Sequence, residues 1–129
     1  MNVITYIHFP GQAEEAINFY KETLGAELVL ITYMGDGPKE VMEVPEHLKK
    51  KIMHARVMIC ETVVYISDTF DDSKINKGNN VALSIHVNEP GEVDAMFAKL
   101  SAGGEATMPP SDAFWGSRFS MLTDKFGIH

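Results

Sequence analysis

An α+β fold made of two βαβββ modules is predicted for this chain, with a curved mixed β-sheet around a cleft and helices on its outer face. The first observation behind it is an internal repeat. Residues 2–27, moved forward by 78, fall on residues 80–105 without a gap. Asn2, Val3, Ile7, His8, Glu14, Phe19, Lys21, Gly25 and Glu27 meet identical residues at Asn80, Val81, Ile85, His86, Glu92, Phe97, Lys99, Gly103 and Glu105. Those nine identities compare with about two expected from average composition. The second observation is a helical stripe in each copy, closed by glycine. The third is that β-branched and aromatic runs flank each stripe.

Val3–Phe9 reads as a strand that breaks at Pro10-Gly11. Ala13, Ala16, Ile17, Tyr20 and Leu24 follow helical spacing over 12–24, and Gly25 is a natural stop. Glu27–Met34 is a second strand, running into the loop Gly35-Asp36-Gly37-Pro38. Val44–Lys51 has room for a short helix with Pro45 in its first turn. Ile52–Ile59 and Thr62–Ser67 form a hairpin around Cys60-Glu61, although that pair is not a favoured turn sequence. In the second copy, Val81–Val87 reads as a strand. Val93, Met96, Phe97 and Leu100 form the helical stripe, ended by Gly103-Gly104. Phe97 and Phe19 are expected to be equivalent core anchors. Glu105–Met108, Arg118–Thr123 and Gly127–His129 are strand-like, and Pro109–Ser117 is a loop. The sequence stops at Ile128-His129 in strand-like residues, and the second module looks shorter than the first. The organisation is one domain over 1–129. Module 1 covers 1–70, a polar linker covers 71–80, and module 2 covers 81–129.

Composition narrows the function classes. The 129 residues are 45% hydrophobic and 22% charged, as in globular proteins. No apolar run approaches the roughly 20 residues of a membrane span, and no signal-peptide layout opens the chain. A formal charge of −7 argues against nucleic acid as a partner. Cys60 is the single cysteine, so no internal disulfide forms and a cytoplasmic location is expected.

The helix ends "FYKETLGAEL" and "FAKLSAGGEA" belong to a longer pattern. It includes "YIHFPGQAEEAINFY" (6–20), "MHARVMICETVVYISD" (53–68), "FWGSRFSMLTDKFGIH" (114–129) and the Met-Pro of "ATMPP" (106–110). In these the chain resembles the vicinal oxygen chelate superfamily of glyoxalases, bleomycin-resistance proteins and extradiol dioxygenases, within it the PhnB-like subgroup. The resemblance implies a small-molecule cleft, often a divalent metal, and a homodimer. It does not imply one reaction. Superfamily metal ligands come from a first and a late strand of each module. Those positions fall here on Thr5, on His54, on Asn80 or Ala82, and near or beyond His129. His54 alone is a competent donor among them, so no cofactor and no metal site are expected. Were the alternative true, a metal-dependent lyase, isomerase or dioxygenase, the ion would be Zn, Ni, Mn or Fe.

The residues assigned to the ligand cleft are Thr5, His54, Arg56, Met58, Phe114 and Trp115. His54, Arg56 and Met58 alternate onto one strand face. Phe114 and Trp115 are rigid loop aromatics suited to a cleft wall or a dimer contact. His8 and His86 match through the repeat, and common ancestry explains the match without a metal. If Thr5 faces the cleft, alternation turns His8 away from it. His47 and Glu61 read as solvated, His129 as a chain terminus. Cys60 lacks the basic surroundings of a reactive thiolate. No catalytic residue is identified. The expectation is a PhnB-like protein that binds a small molecule and forms a homodimer, with neither nucleic acid nor membrane as partner.

Overall fold

The computed structural model describes residues 1–37, 44–70 and 75–129. Pro38, and the part of the expected linker at 71–74, lie outside the described residues. The chain divides into two compact units, Met1–Ile75 and Asn76–His129.

Unit 1 runs β1 (Tyr6–Phe9), α1 (Ala13–Leu24), β2 (Glu27–Tyr33), two short 3-10 turns (Met34–Asp36 and Glu46–Leu48), β3 (Ile52–Ile59) and β4 (Thr62–Asp68). Its strands form one mixed sheet in the order β1-β4-β3-β2. β1 runs parallel to β4, and the other pairs are antiparallel. Parity along the strands separates two faces. Ile7, Ile66 and Ala55 stand in one row. With Phe9, Val57 and Val64 they turn toward α1, which lies against β3 and β4. Ala13 and Ala16 are wholly buried, and their small side chains let the helix sit close to the sheet. Gly25 takes the left-handed conformation at φ 66°, and its N–H bonds to the Lys21 carbonyl to close α1.

The start of α1 has no local cap, because the Gln12 side chain makes no capping bond. The cap comes from the far end of the sheet. Asp68, the last residue of β4, is buried, and its Oδ1 accepts the Ala13 N–H at 2.9 Å. Its Oδ2 accepts the Ile52 N–H at 2.9 Å, where β3 begins. One carboxylate at the end of β4 therefore joins the start of α1 to the start of β3.

Unit 2 holds α2 (Pro90–Ser101), β5 (Glu105–Asp112) and β6 (Arg118–Thr123), with β5 and β6 antiparallel. Pro90 opens the helix where its missing N–H costs nothing. Gly104 passes so close to the backbone of Thr123 and Asp124 that a Cβ would collide with the Thr123 carbonyl. Arg118 on β6 binds Asp94 on α2 through Nε and the 2.8 Å Nη2 contact, and reaches Asp112 on β5 at 3.2 Å. The Arg118 hydrogen bond holds the Asp94 carboxyl below the ordinary aspartate range.

Several sequence expectations need correction. Val3–Thr5 stay outside β1, since Val3 is fully exposed and touches no core. Val81–Val87 forms no strand. In unit 1 the matching segment, β1, is held by β4. In unit 2, β5 and β6 correspond to β2 and β3, and among the described residues no strand lies alongside 81–87. The Leu83 N–H donates instead to the His129 carbonyl at 3.0 Å. Gly127–His129 is likewise not a strand. The Asp124 carboxylate accepts the Phe126 and Ile128 N–H groups and curls the chain into a turn. The expected loop 109–117 shrinks to 113–117, because Pro109 and Pro110 continue β5. They do so where the register slips between Met108↔Met121 and Ser111↔Phe119, which places an extra residue where ladder N–H groups are not needed. Phe19 is buried, but Phe97 is only half-buried, in a unit whose sheet pairs two strands where unit 1 pairs four.

The Asp68 linkage predicts a large stability effect at a residue that contributes no apolar area. Asp68→Ala should destabilise the protein by about 3 kcal/mol, the loss of two hydrogen bonds to a buried charged acceptor. Asp68→Asn, which keeps one acceptor, should lose roughly half of that. Urea unfolding checks both, and a loss under about 0.5 kcal/mol for the Ala variant, the range of ordinary surface changes, would contradict the linkage.

Candidate functional site

The second face of the unit 1 sheet carries the chemistry. The same parity that sends Ile7, Ala55 and Ile66 to the core sends Tyr6, His8, His54, Arg56, Tyr65 and Ser67 to the other side. Tyr6 is opposite Tyr65, and Tyr65 is opposite Arg56. His8 is opposite Ser67, and Thr32 and Leu30 on β2 are opposite His54 and Arg56. Polar and aromatic side chains thus line one sheet face whose reverse is a packed core.

Contacts hold these side chains in place. The Tyr6 hydroxyl and His54 Nδ1 are 2.9 Å apart. Tyr6 stacks on His8 with ring centroids 4.7 Å apart and 16° between planes. His8 Nδ1 and the Ser67 hydroxyl are bonded at 2.8 Å. The Tyr65 ring meets His54 edge-on at 4.8 Å and Tyr6 edge-on at 5.6 Å. The Arg56 guanidinium lies over the Tyr65 ring, 5.4 Å from its centroid, in a cation–π arrangement. Its Nε–H points at His54 Nε2 across a long contact of 3.5 Å. Arg56 is exposed, His54 and Tyr65 are half-buried, and Ser67 is buried. The cluster is ordered yet open on one side.

Of the residues assigned from sequence, the structure brings His54 and Arg56 into this cluster. Met58 follows on the same parity of β3, half-buried and opposite Glu27 and Val63. Thr5 lies just before β1. Its carbonyl accepts the Tyr65 N–H at 2.9 Å, and its side chain takes no part in these contacts. Phe114 and Trp115 belong to unit 2, at the β5–β6 turn, where Gly116 has φ 93°. They meet edge-on at 4.9 Å, and Trp115 lies 6.4 Å from Phe119. Phe114 is 98% exposed and Trp115 62%. Sequence reasoning passed over Tyr6, Tyr65 and Ser67 and gave His8 no role on this face. The available signal was parity: in "YIHF" and "YISD", polar-capable residues alternate with core residues.

The cluster offers a cation one histidine, and both of its ring nitrogens already face a neighbour. His54 has one ring nitrogen on the Tyr6 hydroxyl and the other facing a guanidinium, which repels a cation. Among the described residues, no three His, Cys, Asp or Glu side chains gather as metal ligands. His86 bonds the Ser84 hydroxyl at 3.1 Å. His129 spans the Thr123 hydroxyl and the Gly78 carbonyl. Asn80 and Ala82 lie in the exposed segment ahead of α2. Among the described residues, no helix is long and apolar enough to cross a membrane.

Residues 5–129 match the family described as the Glyoxalase/Bleomycin resistance protein/Dioxygenase superfamily. The chain is 31% identical to Protein YjdN of Escherichia coli (strain K12), over 99% of this chain and 91% of that protein. Among solved structures, it is similar to protein PA1353 from Pseudomonas aeruginosa, with a TM-score of 0.84 and 30% identity, covering 99% of this chain and 92% of that one. A PhnB protein from Bacillus cereus has a TM-score of 0.80 at 24% identity, covering 99% and 95%. These likenesses establish the α+β fold with its mixed sheet.

Proposed function

From a chain that belongs to the Glyoxalase/Bleomycin resistance protein/Dioxygenase superfamily, we propose a PhnB-like protein that binds a small molecule on the polar face of the unit 1 sheet, without a divalent metal. The observation that carries this reading is the Tyr6–His54–Arg56–Tyr65 cluster. Polar side chains locked together on an exposed sheet face do not stabilise the core behind them. They do present fixed hydrogen-bonding groups beside aromatic rings, the usual composition of a ligand site. Tyr6 is 43% exposed, so a planar or apolar group has ring surface to lie on. Met58 and Leu30 extend the apolar margin on either side of Arg56. Metal-free binding is supported by the guanidinium beside His54, whose positive charge opposes a cation on that nitrogen.

The proposal includes a homodimer. Unit 2 exposes Met108, Phe114, Trp115, Phe119 and Met121, and an apolar patch of that kind favours burial against another chain. A second copy closes such a patch with two-fold symmetry. Cytoplasmic residence is part of the same reading, supported by a single, exposed, free cysteine.

Ligand mapping tests the site. Amide and side-chain NMR shifts recorded against a fragment library should move Tyr6, His54, Arg56 and Met58 together. Responses confined to residues outside unit 1 would refute it. Metal content measured on the same preparation should be well below one ion per chain. Stoichiometric Zn, Ni, Mn or Fe that is lost in His54→Ala would overturn the metal-free reading.

Sedimentation velocity at micromolar concentration tests the assembly. A dimer that weakens in Trp115→Ala is expected, and a monomeric wild-type protein would remove the homodimer from the account.

A further inference from the structure

Resting on the site just proposed, we infer that the ligand carries an oxyanion, a carboxylate or phosphate group, seated on Arg56 and Tyr6. The argument is the direction of the hydrogen bonds. Arg56 Nε–H is aimed at His54 Nε2. A guanidinium has no lone pair to offer, so the tautomer that satisfies this 3.5 Å contact turns the Nε2 lone pair toward it. The ring proton is then on Nδ1, which donates to the Tyr6 oxygen at 2.9 Å. With its oxygen already accepting, the Tyr6 hydroxyl is left to donate outward. His54 thereby turns Tyr6 into a donor, and among the described residues no acceptor is bonded to the terminal nitrogens of Arg56.

Among the described residues, no carboxylate is bonded to the donors of this cluster. Among the described residues, Arg56 has no carboxylate partner. Arg118, by contrast, is engaged by Asp94 and Asp112. The Tyr65 ring under Arg56 fixes the guanidinium without neutralising it. A pre-positioned fork of N–H groups beside a hydroxyl donor is complementary to a planar or tetrahedral oxyanion. The neighbouring Tyr6 ring, Leu30 and Met58 accept the apolar body attached to it.

Calorimetric titration with benzoate, inorganic phosphate and benzamide separates the possibilities. Benzoate should bind, and benzamide, its uncharged isostere, should bind at least about tenfold more weakly, the factor carried by a charge-assisted hydrogen bond. Benzoate affinity should fall as salt is raised. Arg56→Gln should lose about tenfold or more in benzoate affinity and Tyr6→Phe a smaller factor, with Arg56→Lys between wild type and Gln. Unchanged thermal midpoints show that these exposed substitutions leave the fold intact. Benzamide binding as tightly as benzoate, undiminished affinity in Arg56→Gln, or no binding of either anion overturns the inference. Neutral fragments that still map to Tyr6 and His54 would then leave the small-molecule site standing without its oxyanion.

Discussion

The buried carboxylate of Asp68 is the constraint on which unit 1 depends. It caps α1 through Ala13 and fixes the first residue of β3 through Ile52. A helix start needs an acceptor for its free N–H groups, and Gln12 does not supply it. The acceptor arrives only when β4 is complete, so the helix is fixed by the sheet it packs on. The same bond at Ile52 sets where β3 begins, and hence its parity. A one-residue slip would turn Ala55 and Val57 outward and bury Arg56. The position of the polar cluster is therefore a consequence of how the core is anchored.

That anchoring explains why the two repeats differ in what they can do. Asp124 in unit 2 is also a buried aspartate that gathers backbone N–H groups, but it bonds Phe126 and Ile128, within four residues. Those bonds make a local turn, whereas the two bonds of Asp68 join distant elements. His8 and His86 match in sequence, and each bonds a serine, yet only His8 lies on a sheet with a histidine, an arginine and two tyrosines. Repeat symmetry preserved the residue and not its surroundings.

The helices were legible because their apolar stripes and glycine stops are local. The β3–β4 hairpin was also legible, despite a poor turn sequence, because seven or eight alternating residues on each side outweigh two in the turn. Cys60 absorbs the mismatch with φ 57°, uncommon for a residue with a side chain. Strand pairing in 81–87 was not legible, since a β-prone segment becomes a strand only beside a partner. The prolines of β5 misled for the opposite reason: at an edge with a slipped register they cost no ladder bond. His54 and Arg56 were found from one strand. Tyr6, Tyr65 and Ser67 were missed because the row that joins them runs across three strands, and only the register reveals it.

The account's central claim is that His54 holds its proton on Nδ1 and so makes Tyr6 an outward donor. Two-bond ¹H–¹⁵N correlation of the labelled His54 imidazole in mildly alkaline buffer, without ligand, reads this directly. A protonated Nδ1 with a bare Nε2 is the result predicted. A proton on Nε2 would reverse the hydrogen bond to Tyr6, make that hydroxyl a donor to the ring, and contradict the donor array inferred for the oxyanion.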